Sequence, residues 1–258
     1  MITRFLIILG LLCAALPLQA EDIKLTAEER VEYHQKEQKL VAKGNALATK
    51  GKMSIKANTL IGVYNPKIKN KISHVEAHSN VIIKTPQADA FGNKFNYDVR
   101  RGTAILEGTP AKIKTPEALI TAKGPISYDE NKLKAVAKNN VEVTEAKGTK
   151  IFADLMTAYF KKDSTDRLQL DHIDVAKNVK ITSKGATVTA QRGKYTAATG
   201  IVDLFDDVII TQDGNVLKGS HAETNTKTGI SKLLSGDDKT SGRVSGVFKE
   251  KSKKGTKQ

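Results

Sequence analysis

Six tyrosines recur along this chain at near-constant intervals: Tyr33, Tyr64, Tyr97, Tyr128, Tyr159 and Tyr195 stand 31, 33, 31, 31 and 36 residues apart. Such a period marks a stacked array, in which no unit buries its own apolar face and neighbours complete one continuous core. Downstream of each tyrosine lies a turn-like dipeptide: Gly44-Asn45, Ser79-Asn80, Gly108-Thr109, Asn139-Asn140, Lys177-Asn178 and Asp206-Asp207. The units beginning at Tyr64 and Tyr159 carry insertions of 4 and 7 residues, around Lys67 to Lys71 and Lys162 to Asp174.

Within each unit the apolar period is two, which predicts strands. Val81-Ile82-Ile83, Val141-Glu142-Val143, Val179-Lys180-Ile181 and Val208-Ile209-Ile210 place apolar side chains at first and third positions, on one strand face. Glu142 and Lys180 occupy the alternate positions, so that opposite face looks at water. A second strand precedes the dipeptide, as in Thr103-Ala104-Ile105-Leu106, and a third precedes the tyrosine, as in Lys150-Ile151-Phe152-Ala153. Helix competes only at Thr26-Ala27-Glu28-Glu29, which has the form of a capping box. Ala27 precedes Tyr33 by six, as Ala122 precedes Tyr128, so the repeat register overrules the local propensity. The reading is all-β, one elongated domain over residues 21–248, with roughly 12 to 18 strands stacked over on the order of 60 to 85 Å. Lys249 to Gln258 reads as a disordered basic tail.

Residues 1–20 read as a cleaved secretory signal, with Arg4 before the apolar run Phe5 to Leu16 and a small-residue site at Ala20. That run is too short to favour a membrane span. Cys13, the sole cysteine, follows Leu12 where a lipoprotein signal wants a small residue, so the mature chain holds no thiol. Removing Arg4 takes the net charge from +14 to +13. A field of that sign favours anionic partners. For an exported chain, anionic lipid or polysaccharide fits better than nucleic acid, and the lysines also serve to protect sheet edges.

Catalytic and metal signatures are weak. His74 and His78 stand four apart, a spacing that suits zinc on a helix but separates them by about 13 Å on a strand. Asp203, Asp206, Asp207 and Asp213 lack the spacing of an EF-hand and read as turn aspartates. Asp171, His172 and Asp174 form a catalytic fragment only if a serine approaches, and no nucleophile elbow is present. No P-loop or dinucleotide fingerprint occurs. The expectation is no enzyme, no cofactor and no metal, with the tyrosines as core residues of the repeat.

Segments of the form Ile-x-Ala-x(4-6)-Tyr, the run Leu40-Val41-Ala42-Lys43-Gly44-Asn45, the run Val208 to Gly219, then Thr226 to Gly229 and Arg243 to Phe248 before a basic tail resemble the LptA/OstA family of periplasmic lipopolysaccharide-transport proteins. The resemblance implies a folded-over β-jellyroll with a hydrophobic slot between two facing sheets. It also implies periplasmic residence, lipopolysaccharide as ligand through its lipid A chains, and head-to-tail strand pairing. That pairing would bridge an inner-membrane-anchored partner to an outer-membrane translocon. The expected acyl-contacting residues are Val81, Ile83, Ile105, Val141, Val143, Val179, Ile181, Val208 and Ile210; the competing reading is that they only meet one another in a dry core. Alternatives for the whole chain are a polysaccharide-binding β-solenoid and an inner-membrane-anchored partner of the same pathway.

Overall fold

The structure, a computed structural model, describes residues 22–65, 72–228, 230–235 and 244–247. The expected signal peptide, the basic tail and the Lys67 to Lys71 insertion lie outside the described residues. Eighteen strands join in one hydrogen-bonded sheet. They are β1 (Lys24–Thr26), β2 (Arg30–His34), β3 (Lys39–Lys50), β4 (Met53–Tyr64), β5 (Ile72–Lys84), β6 (Asp89–Asp98), β7 (Thr103–Glu107), β8 (Ala111–Lys114) and β9 (Ala118–Ala122). There follow β10 (Ile126–Asp129), β11 (Lys134–Glu145), β12 (Lys150–Lys162), β13 (Leu168–Ser183), β14 (Ala186–Thr196), β15 (Ile201–Gln212), β16 (Asn215–Asn225), β17 (Ser231–Leu234) and β18 (Ser245–Val247). The capping-box segment is not helical: Lys24–Thr26 and Arg30–His34 are both strands, held against β3.

Every pairing between strands is antiparallel, and the long strands are folded in the middle. The dipeptides that look like hairpin turns in the sequence are bends inside continuous strands. In β3, β5, β11, β13 and β15 the pairs Gly44-Asn45, Ser79-Asn80, Asn139-Asn140, Lys177-Asn178 and Asp206-Asp207 all have positive φ. The ladder skips them and resumes beyond, for instance from Lys138 to Val141 against β12. Two successive left-handed residues turn the strand without ending it, and Asn and Asp tolerate that conformation best among non-glycine residues. At Gly44 the space is as restrictive as the torsion, since a Cβ there would lie 2.6 Å from the Glu29 side chain. Gly108-Thr109, followed by Pro110, instead breaks the strand into β7 and β8, both paired to β6. Pro125 stands in the matching gap between β9 and β10, which both pair with β11.

Joining the split strands as single rungs leaves 14 rungs among the 18 strands. At about 4.8 Å per rung the stack runs about 60 Å. The first sheet takes β2, β7, β10, β17 and one arm of each bent strand; the second takes β1, β8, β9, β18 and the other arms. The result is an antiparallel sheet folded on itself, a β-jellyroll with a fold line along one side and two rows of hairpins along the other. Polar side chains tie successive rungs at the fold line. Asn45 donates to Glu28, Asn80 to Asn58, Asn178 to Asp154, and Arg192 to Asp206.

The core fills the wedge between the sheets. Ala42 and Ala46 flank the bend of β3, Ala77 and Val81 that of β5, and Ala137 and Val141 that of β11, each 0 or 1% exposed. Small side chains belong there because the sheets converge at the fold line. Tyr128 and Phe160 fill the wider space toward the hairpins, in edge contact at 6.3 Å, while Phe95 lies near the bend of β6 beside Ala77. The tyrosines are not equivalent, contrary to their reading as core residues of the repeat. Tyr128 is core, Tyr33 is 61% exposed at an edge, and Tyr159 faces outward, stacked on His172 at 4.3 Å.

Candidate functional site

The buried apolar residues of the described rungs lie between the two sheets, in two clusters that both touch Val175. Val81, Ile83, Val141, Val143, Val179 and Val208 are buried on the inner face of the second sheet. Ile181 and Ile210 lie on the same face, partly buried against the smaller of two hydrophobic clusters. The alternation that predicts this face is genuine, because Glu142 points outward and accepts from Lys150 and Thr144.

Ile105 does not belong with them. It is 40% exposed, while its neighbours Ala104 and Leu106 are buried. It pairs with Asn96 and Ser127 on the outside of the first sheet. Three successive apolar residues carry no phase of their own, and the bulk of Ile105 disguises the inward alanine beside it. Sequence reasoning therefore missed the first sheet's inner wall: Phe95, Ala104, Leu106, Ile126, Tyr128, Met156 and Phe160. The strict alternation of Ala135 and Ala137, both buried, was the available signal.

Among the described residues a cavity of about 20 Å³ lies between Phe95, Ala104, Leu106, Ile113, Ile126, Ser127 and Tyr128. That holds about one water, whereas sites that engulf small ligands measure about 300–1,000 Å³. That cavity is too small to hold an acyl chain as it stands. Apolar walls of this kind offer burial without directional demands, so a chain bound there can slide.

The two hairpin rows differ in charge. In three turns of the row fed by the first sheet the charges pair within the turn: Asp98 with Arg101, Asp129 with Lys132, and Asp163 with Arg167. Asp98 and Asp129 are held below the usual carboxylate range chiefly by hydrogen bonds from Arg101 and Lys132 respectively, and Asp163 chiefly by Thr165. The second row exposes Lys50, Lys52, Lys84, Lys114 and Lys184, none in an ion pair among the described residues. The same row carries Asp89, Glu117, Glu145 and Asp213, so lysines and acids alternate along it with the lysines in excess.

The remaining polar clusters lie outside the slot. His74 and His78 both face Glu76, at 3.3 and 3.0 Å, on the outer face of β5. Hydrogen bonds and charge from these histidines leave the Glu76 carboxyl below its ordinary value even though burial, the largest influence, opposes them. No group of three metal-ligating side chains converges among the described residues. His172 meets Asp171 at 2.7 Å without a serine hydroxyl bonded to it.

Two spans of the chain, residues 25–124 and 119–230, match the family described as LptA/(LptD N-terminal domain) LPS transport protein. The chain belongs to that family. Its members are lipopolysaccharide transport components, and the two matches meet in β9, in the seventh of the 14 rungs. Among solved structures, the chain is similar to LptH, the LptA homologous periplasmic component of the lipopolysaccharide transport device from Pseudomonas aeruginosa. The two are 13% identical over 89% of this chain and 96% of that one, with a TM-score of 0.23. No curated protein matches.

Proposed function

We propose that this protein is a periplasmic carrier of lipopolysaccharide that shelters lipid A acyl chains between its two sheets. The observation that carries the reading is the wedge itself: an aliphatic interior between two sheets, flanked along one side by rows of hairpins, in a chain of a lipopolysaccharide-transport family. Each methylene removed from water is worth about 0.8 kcal/mol, so one chain of about a dozen carbons costs roughly 10 kcal/mol to expose. A walled path across an aqueous gap removes that barrier without chemistry. Val81, Ile83, Val141, Val143, Val179, Ile181, Val208 and Ile210 supply one wall, and the first sheet's buried residues supply the other.

The end rungs serve the second half of the task. Among the described residues, β2 is bonded to β3 on one side only, and β17 to β16 likewise. Exposed apolar side chains accompany these edges, Ile23 and Val31 at one end and Leu234 and Val247 at the other. Open edges extend by pairing with another chain's edge, and because the two ends differ the contact is head-to-tail. Partners of like fold anchored in the inner and outer membranes complete the bridge. Residues 1–20 serve as a cleaved export signal in this account.

Mass spectrometry of material extracted from the purified protein tests the carrier reading: lipopolysaccharide is the expected guest, and a lipid-free protein that takes up none on mixing contradicts it. Sedimentation at rising concentration tests the bridge, with elongating species expected and their loss on removing residues 220–248. A species that stays monomeric throughout contradicts it.

A further inference from the structure

Two polar side chains enter the largely apolar inner surface of the slot from opposite sheets near the hairpins, and the Tyr128 hydroxyl is likewise buried in the core. On β11, Val141, Val143 and Glu145 share a face by alternation, and the first two are buried. Glu145 therefore points inward near the hairpin, with the buried Ala118 as its cross-strand neighbour. On β14 the inward positions are Gly193 and Tyr195, while Lys194 between them is exposed. Tyr195 packs against the larger apolar cluster, opposite Ile173 on β13. Its hydroxyl oxygen is out of contact with solvent and makes no hydrogen bond among the described residues.

The two groups sense each other. Burial first, and the Glu145 charge second, hold the Tyr195 phenol above its ordinary value. Burial likewise pushes the Glu145 carboxyl up, against a hydrogen bond with Thr149 and the charge of Lys147. A buried hydroxyl with no acceptor is costly, and evolution of a purely greasy channel has no reason to keep one there. An acceptor delivered by a guest removes that cost.

We propose that Tyr195, faced by Glu145, is a polar subsite of the slot that takes the carbonyl linkage, ester or amide, joining an acyl chain to its headgroup. The inference rests on the carrier reading and adds a depth gauge to it. Chains lie inward among the apolar residues, the Tyr195 O–H donates to the linking carbonyl near the hairpin rows, and the headgroup stays outside. An alkyl chain joined through an ether oxygen offers a far poorer acceptor at that depth.

The test compares two synthetic phosphorylated glycolipids of equal chain length, one acyl-linked and one ether-linked, titrated into the full chain. Wild type is expected to prefer the acyl-linked lipid by about tenfold, the equivalent of about 1.4 kcal/mol. Tyr195→Phe should abolish that preference by weakening the acyl-linked lipid alone, without lowering the melting temperature of the free protein. Glu145→Ala should narrow the same preference. Equal affinities in wild type, or equal losses for both lipids in either variant, overturn the subsite and leave the carrier reading standing. A wild type that binds neither lipid removes both.

Discussion

The middle of the stack and its C-terminal third bury their walls very differently. From β6 to β12 the wedge is filled by Phe95, Leu106, Ile113, Tyr128, Met156 and Phe160, and both sheets contribute to one large cluster. Beyond it the second cluster has only Ala153, Val179, Ala190, Leu204, Val208 and Ala222 fully buried. Ile181, Val188, Val202 and Ile210 stay partly open to solvent there. The same folded rungs thus make a sealed centre and a loose end. Cooperative opening is easiest where few apolar contacts hold the sheets together. The C-terminal third is the segment of the slot that parts most readily, and the centre is the segment that must be forced.

Core truncation breaks this comparison most severely. Ile113→Ala in the sealed centre should cost about 2–5 kcal/mol, because its neighbours already border a cavity and cannot collapse. Val179→Ala in the loose end should cost less, about 1–2 kcal/mol, since partly exposed neighbours can shift inward. Urea unfolding of the two variants checks the order. Hydrogen exchange should sharpen the contrast, with amides of β10 and β11 protected at least about tenfold longer than those of β15 and β16. Equal protection would erase the distinction.

A smaller effect comes from Glu145. Its folded-state pKa is raised by burial, so the folded chain holds the proton more tightly than the unfolded chain. Stability from this group is fully present below the ordinary carboxylate pKa and is lost as pH rises through the raised value. Glu145→Gln should remove that loss, so thermal melts of variant and wild type should diverge in the variant's favour between mildly acidic and neutral pH. Asp98, Asp129 and Asp206 behave oppositely: their lowered values give stability above the ordinary carboxylate pKa that is lost as pH falls through the folded ones. The smallest change is expected at the surface, where Arg192→Ala should leave the unfolding midpoint almost unmoved because both it and its partner Asp206 are exposed.

The strand pattern of this fold is plain in the chain, and the folding-over is not. Val141-Glu142-Val143 and its counterparts state the second sheet's inner face through bulk and charge in alternation. The dipeptides between them state only that the backbone turns left-handed, and that signature is shared by hairpins and by mid-strand bends. What separates the two is whether pairing resumes beyond the dipeptide, which depends on strands distant in sequence. The first sheet's inner face was harder still, because the convergence of the sheets demands alanine near the fold line and alanine carries little hydrophobic signal. Ile105 exposes the cost of reading bulk alone. Glu145 and Tyr195 were also invisible as a pair, since they stand 50 residues apart and only the fold places them on facing sheets.

Photo-crosslinking at successive positions of β13 addresses the central claim, that acyl chains lie between the sheets. With a photoreactive residue placed in turn at Val179, Lys180, Ile181 and Thr182, and lipopolysaccharide supplied, adducts should form at the inward first and third positions. The outward second and fourth should stay silent. Adducts without this alternation, or only from Lys180 and Thr182, would contradict the account.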